Sequence, residues 1–263
     1  MQVIEKAAEF SGRFSRWNAR EDLSNYPWVE NAHAPFTPLT RALPMLNLGL
    51  VTAAGAYIEG MEPFDLDAKD GDLQYREFPT AVDASDLRFS AKGYDPAAVT
   101  DDTNCLIPID RLREFQENSV IGQLNNVWWS LSSHIPNARR IADELAPELA
   151  ERLHRYQVQA ALLIPTSRLS HQAMGLVARG IESTGIPTMV LSVDPRVTER
   201  VRPPRVAFYK GEHSTVSGLP NFPEHQRRIL DESIRWIETF DQPGSRKLVV
   251  ELESVVEADR GER

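Results

Sequence analysis

The stretch VQAALLIPTSRLSHQAMGLVARGIESTGIPTMVLSV, Val158 to Val193, decides the fold. Its apolar run Ala160 to Ile164 is too short for a buried helix, and Pro165 stops it. Ala173, Leu176, Val177, Gly180 and Ile181 then recur at the spacing of one helix face. Gly185 suits a helix C-terminus, and Pro187 opens a second apolar run, PTMVLSV. Continuous rather than alternating apolar runs are the mark of strands covered on both faces, as in a parallel sheet. The stretch therefore reads as a strand–helix–parallel-strand unit, right-handed by the general rule.

Upstream, MLNLGLVTAAGAYIEG supplies another strand, Leu46 to Thr52, followed by a turn of small residues. Glu62 to Tyr75 is a polar loop, LQYREFP a short strand and TNCLIP a buried strand. IDRLREFQENSVIG reads as a helix from about Asp110, and NVWWSLSSH as a further strand. Trp128 and Trp129 point to opposite faces of that strand, one into the core and the other toward a pocket or another subunit. IPNARRIADELAPELAERLHRYQ is the longest helical segment, and Pro147 should kink or split it. Downstream, RVAFY and NFPEHQRRILDESIRWIETF add a strand and a closing helix. This alternation predicts an α/β protein, a mostly parallel sheet flanked by helices with Rossmann-like or flavodoxin-like βαβ units. The expected division is an N-terminal arm at residues 1–36, the α/β domain at 37–245 and a charged, frayed tail at 246–263. The arm is rich in aromatics (Phe10, Phe14, Trp17, Tyr26, Trp28), which either pin it to the domain or meet a partner chain.

The 29 basic and 38 acidic residues give a net charge of -9, which argues against a nucleic-acid or anionic-membrane surface. No long uncharged apolar run offers a membrane span, and the N-terminus lacks a signal-peptide core, so a cytoplasmic protein is expected. Cys105 is the only cysteine, which excludes an intramolecular disulfide and a cysteine-rich metal site. It reads as a small buried hydrophobe. The 6 histidines show no local metal-ligand spacing, so no metal and no cofactor are expected.

In a doubly wound sheet, ligands sit outside the carboxyl ends of the strands. Three segments fall there: TAAGAY with Thr52 and Gly55, SLSSH with Ser133 and His134, and TSRLSH with Ser167, Arg168, Ser170 and His171. Serines before a helix are ordinary caps. The same hydroxyls and free N–H groups, at the positive end of a helix, can also hold a carboxylate or phosphate. Arg168 would add a bidentate contact to such an anion, and Thr52, Gly55 and Ser133 would complete the binding set. His171, in the first helical turn, is kept neutral by the dipole and, like His134, is a candidate acid or base. The segment contains no G-x-S-x-G elbow, so a serine-hydrolase triad is not expected.

The segments LGLVTAAGAYI, YREFP, SDLRFSAKGYDP, DDTNCLIPIDRLREF, AALLIPTSRLSHQAMGLVARGIESTGIPTMVLS and PPRVAFYKG, in this order, resemble the selenoprotein B family. That family contains the selenocysteine-bearing subunits of D-proline reductase and of the glycine, sarcosine and betaine reductases. The resemblance covers about residues 37–240, and NCLIPIDRLREF and GLVARGIESTGIPT are its most specific stretches. It implies reductive C–N cleavage of an amino-acid-like substrate, carried by a partner subunit with a pyruvoyl group, in an oligomeric assembly. In the family, a selenolate attacks the α-carbon, and a cysteine three residues on resolves the selenium adduct. The resemblance lays the selenocysteine position on Ser167 and the cysteine position on Ser170. His171 matches a histidine found after that cysteine in proline-reductase-type members, whereas Ala91 and Lys92 stand where such members show a histidine. A serine hydroxyl is no substitute for a thiolate, either as a nucleophile or as a two-electron carrier. Three readings follow: an enzyme with altered, non-dithiol chemistry, a non-catalytic ligand-binding or structural subunit, or a reductase that uses a partner subunit's thiol.

Overall fold

Five residues, Ala160–Ile164, form a strand whose side chains are all buried, on alternating faces of a sheet. The computed structural model of the chain describes residues 2–17 and 22–250. In chain order it contains α1 (Ala7–Phe14), β1 (Asn47–Thr52), β2 (Ala56–Ile58), β3 (Arg76–Pro79), β4 (Leu87–Phe89), α2 (Ala97–Asp101) and α3 (Ile109–Glu117). β5 (Gln123–Leu124), β6 (Val127–Ser130), α4 (Ala138–Arg140), α5 (Ala146–Arg155), β7 (Ala160–Ile164) and α6 (Arg168–Glu182) follow. β8 (Thr188–Ser192), α7 (Pro195–Val201), β9 (Arg205–Phe208), α8 (Pro223–Thr239) and β10 (Gly244–Lys247) complete it.

The main sheet runs β10-β9-β8-β7-β1-β6-β3, with β5 beside the start of β1, while β2 and β4 form a separate antiparallel pair. Every ladder of the main sheet is parallel except that of β3 with β6. The chain is therefore α/β, with a mostly parallel sheet. Among the parallel strands, β6-β1-β7-β8-β9 follows the flavodoxin-like order 2-1-3-4-5, and β10 extends it by one strand. The switch of winding direction lies between β1 and β7.

The strand alternation feeds two cores. Leu48, Leu50, Leu162, Ile164 and Leu191 pack with α3 and α8 on one face. Val51, Leu163 and Val190 pack with α5, α6 and α7 on the other. Trp128 belongs to the first core and Trp129 to the second, and both are fully buried, so neither faces solvent or another subunit. TNCLIP is buried but is not a strand. The Asp102 carboxylate accepts both N–H groups of Asn104, on the backbone and the side chain, and closes a short turn, Thr103–Cys105. Local side-chain bonds of this kind outcompete a ladder. The long helix is interrupted by a widened turn, Ile141–Leu145, just ahead of Pro147. A proline there removes one N–H and crowds the preceding turn, which the wider turn relieves.

The N-terminal arm lies against the face built by α6. Arg179 is fully buried and donates to the carbonyls of Gln2, Val3, His33 and Arg202 at 2.6–3.1 Å. The Tyr26 hydroxyl donates to the Pro136 carbonyl at 2.6 Å, and Gln172 bonds both that hydroxyl and the Val29 N–H. At the other end of the domain, β10 takes Arg246 and Lys247, expected in the tail, into the sheet. The rest of the expected tail, from residue 251 on, lies outside the described residues.

Candidate functional site at the carboxyl ends of the strands

β1 and β7 leave the sheet side by side and are tied at once. Ala53 N–H donates to the Ile164 carbonyl at 2.9 Å, and the Thr166 hydroxyl returns a bond to the Ala53 carbonyl at 2.8 Å. Ser167 follows in extended conformation (φ -136°) as the N-cap of α6. Its Oγ accepts the Ser170 N–H at 3.0 Å and donates to the Ser133 carbonyl at 2.8 Å. Ser170 Oγ accepts the N–H groups of Thr166 and Ser167 at 2.8 and 2.7 Å, and lies 3.0 Å from the Ser167 carbonyl. The two serines thus form a reciprocal cap that satisfies the helix's first donors. Both are buried.

His171 packs beneath the cap, fully buried. Its Nδ1 donates to the Ser167 carbonyl at 2.7 Å, while Nε2 accepts the Val193 N–H at 3.2 Å. This pattern requires one proton, on Nδ1. Burial holds the imidazole neutral and pushes its pKa down to about 4. To act as a base toward a substrate, His171 would first have to release the Val193 amide.

The loop after β6 closes the next side. Ser133 Oγ donates to the Ser90 carbonyl at 3.1 Å and accepts the Lys92 N–H at 3.0 Å. That bond draws the SAKGYD segment across the cap. Gly93 (φ +84°) lies over Ser167 so closely that a Cβ there would meet the Ser167 Cβ at 3.0 Å. His134 is mostly buried, and its pKa is lowered to about 4 by burial and by the nearby Lys92 charge. Its ring nitrogens make no hydrogen bond to another described residue. Thr52 Oγ1 accepts the Ala54 N–H at 3.2 Å, under the turn. Gly55 (φ +63°) gives its N–H to the Leu131 carbonyl, and a Cβ there would strike the Ser90 carbonyl oxygen at 2.3 Å.

Arg168 is half exposed at the rim, and its Nε donates to Asp194 at 3.1 Å. Asp194 in turn caps α7. His213 stands 3.9 Å from the same carboxylate oxygen, with its ring edge-on to His171 at 5.2 Å. Burial lowers its pKa against the pull of Asp194. The structure thus joins Ser133, Ser167, Arg168, Ser170 and His171 in one network, sets Thr52 and Gly55 into the turn below it, and leaves His134 beside Lys92. Sequence reasoning did not find Asp194, His213 or Gly93. For Asp194, the signal available was an Asp-Pro pair opening a helix after a strand. For His213 there was none. Cys105 lies away from this network, fully buried, with its thiol pushed up to about 12 by burial. Among the described residues, no group of three or more His, Cys, Asp or Glu converges as a metal site, and no helix is long and apolar enough to cross a membrane.

Comparison with known proteins bears on this arrangement. The D-proline reductase subunit gamma of Acetoanaerobium sticklandii is 30% identical over 214 residues, covering 81% of this chain and 86% of the relative. The chain belongs to the selenoprotein B family. The family model described as glycine/sarcosine/betaine reductase selenoprotein B (GRDB) matches residues 77–166, ending one residue before Ser167. The glycine reductase complex component B subunit gamma of Symbiobacterium thermophilum is 26% identical over 172 residues, 63% of this chain but 39% of the relative. The sarcosine reductase complex component B subunit beta of Peptoclostridium acidaminophilum is 23% identical over 184 residues, 68% of this chain and 41% of the relative. The chain thus spans most of the D-proline reductase subunit and about two-fifths of these two complex components. No solved structure matches it. Selenoprotein B relatives are named as subunits of multi-component reductases, whereas this chain contains a single cysteine and no selenocysteine.

Proposed function

We propose that this chain is a selenoprotein-B-like subunit that acts on a small amino-acid-like substrate together with a partner subunit, by chemistry that does not run through a Sec/Cys pair of its own. One observation carries the reading. Ser167 and Ser170, on which the resemblance lays selenium and sulfur, are committed as a mutual cap at the switch point where such a fold takes its ligand. Arg168 keeps its terminal guanidinium nitrogens unbonded among the described residues and is half exposed, so it is the group placed to meet a carboxylate. His134, neutral at pH 7 with both ring nitrogens unbonded to described residues, is better placed than His171 to exchange a proton with a substrate.

Thermal unfolding in the presence of D-proline, glycine, sarcosine or betaine tests this reading. At least one of them should raise the midpoint of the wild type, and Arg168→Ala should abolish the rise. A rise that survives in a folded Arg168→Ala variant would remove Arg168 from the site.

A second reading is a non-catalytic, ligand-binding or structural subunit, and it rests on the saturation of both serine hydroxyls. It requires tight association with a partner chain and no turnover by this chain alone. If the assembled complex performs a dithiol-type reduction, the thiol comes from the partner, since Cys105 is buried with its thiol held protonated. Turnover independent of added thiol would exclude that variant.

A further inference from the structure

The serine cap is closed to solvent: Ser167, Ser170 and His171 are 2%, 0% and 0% exposed. A ligand reaches their side chains only if a segment above them moves. Two segments cover the cap, and they are held differently. The loop after β6 is pinned at its base by backbone bonds, from Leu131 N–H to the Thr52 carbonyl at 2.8 Å and from Gly55 N–H to the Leu131 carbonyl at 2.9 Å. The other cover is the stretch of residues 91–95. Over residues 91–94 it makes no backbone–backbone hydrogen bond among the described residues.

Side chains hold this stretch shut. Ser133 Oγ accepts the Lys92 N–H at 3.0 Å, and Lys92 Nζ donates to the Leu66 carbonyl at 3.0 Å. The Tyr94 hydroxyl donates to the Ala54 carbonyl at 2.6 Å, and Ser214 Oγ accepts the Asp95 N–H at 3.0 Å. Gly93, at its centre, is exposed on the outside and lies against Ser167 on the inside. The chain is fixed on both sides. Ser90 N–H donates to the Gly55 carbonyl at 2.9 Å and Ser90 Oγ accepts the Phe64 N–H at 3.0 Å, while α2 begins at Ala97. A stretch without ladder bonds, between fixed ends, opens by itself far more often than the domain unfolds.

We propose that residues 91–95 form a lid, hinged at Ser90 and Pro96, whose opening admits a small ligand to the cap. The lid governs access to the site described above and rests on that reading only for the ligand. Its failure would leave Arg168, half exposed with the stretch closed, as a binding group.

Thiol labelling measures the opening on the full chain. Ser167→Cys puts a probe under the lid, and Cys105, fully buried away from it, is an internal clock for global unfolding. With methyl methanethiosulfonate, small and uncharged, the introduced thiol should be labelled at least about tenfold faster than Cys105, as read by mass spectrometry. Low urea should speed the labelling of Cys105 and barely change that at position 167, because opening the lid exposes little surface. Adding Tyr94→Phe removes a latch bond and should speed labelling at position 167 roughly three- to tenfold. Equal rates at the two thiols with the same urea dependence would overturn the lid, and so would an unchanged rate in folded Tyr94→Phe. Amide exchange on the wild type repeats the test without a substitution. The Lys92 amide should exchange well ahead of the amides of β7, and one common rate for all of them would also overturn the proposal.

Discussion

Ser167 Oγ stands 3.0 Å from the Ser170 amide, while Ser170 Oγ stands 2.7 Å from the Ser167 amide. Each residue therefore holds the backbone of the other, and the pair fixes where α6 begins. The helix requires a cap at its first turn, and serine is among the best residues for it.

Removing either hydroxyl should cost stability, and Ser170→Ala more than Ser167→Ala. Ser170 Oγ serves two buried amides, whereas Ser167 Oγ serves one amide and one carbonyl. We expect roughly 2–3 kcal/mol for the first and roughly 1–2 for the second. Urea unfolding of the two variants gives the comparison, and the reverse order would contradict the bonding described.

Stability should fall as the solution is acidified below neutrality. The unfolded His171 imidazole takes its proton near its ordinary value of 6.5, but the folded one stays neutral down to about 4. Between those values the unfolded state binds more protons, so stability declines with falling pH, at most by roughly 1.4 kcal/mol per unit for such a histidine. His134, also lowered to about 4, contributes to the decline in the same direction. In denaturant titrations from pH 7 to pH 5, His171→Asn should flatten the slope. An unchanged slope would show that His171 is not the group responsible.

The β7–α6–β8 unit was legible because its signals are local: a short apolar run, a helical repeat and a Pro–Gly frame within one stretch. Strand order was not, since the pairing of β1 with both β6 and β7 joins segments far apart in sequence. TNCLIP was misread because its apolar letters suggested a ladder, while the Asp102 side chain was already dictating a turn. The site divides the same way. The serines, Arg168 and His171 lie together in sequence and were found together. Asp194 and His213 join them only through packing across the ends of β8 and β9, which no spacing encodes.

Arg179 should prove to be the latch of the N-terminal arm. Its guanidinium reaches four backbone carbonyls, three of them in the arm. Arg179→Met keeps most of the stem but leaves those acceptors facing an apolar side chain, a loss we put at roughly 2–4 kcal/mol. Trypsin should then cut at Lys6 and Arg13 several-fold faster than in the wild type, before the domain itself is cleaved. Cleavage of arm and domain at one common rate would mean that the arm does not open separately.

Placing sulfur at the cap tests the proposal that Ser167 and Ser170 stand at the family's selenium and sulfur positions. The side chains at 167 and 170 each reach the other residue's backbone amide, and Gly93, having no Cβ, lies over position 167. A Ser167→Cys/Ser170→Cys variant would place a C-x-x-C pair at a helix N-terminus, where the thiolate of the first cysteine is favoured. We expect the reduced variant to show two reactive thiols, Cys105 remaining shielded by burial, and mild oxidation to remove both reversibly. Each single variant should keep its one thiol. If the double variant folds but forms no internal disulfide, the two positions cannot have carried a selenium–sulfur exchange. If it does form one, the geometry of this cap allows a bond between the two positions, as the proposed alignment requires.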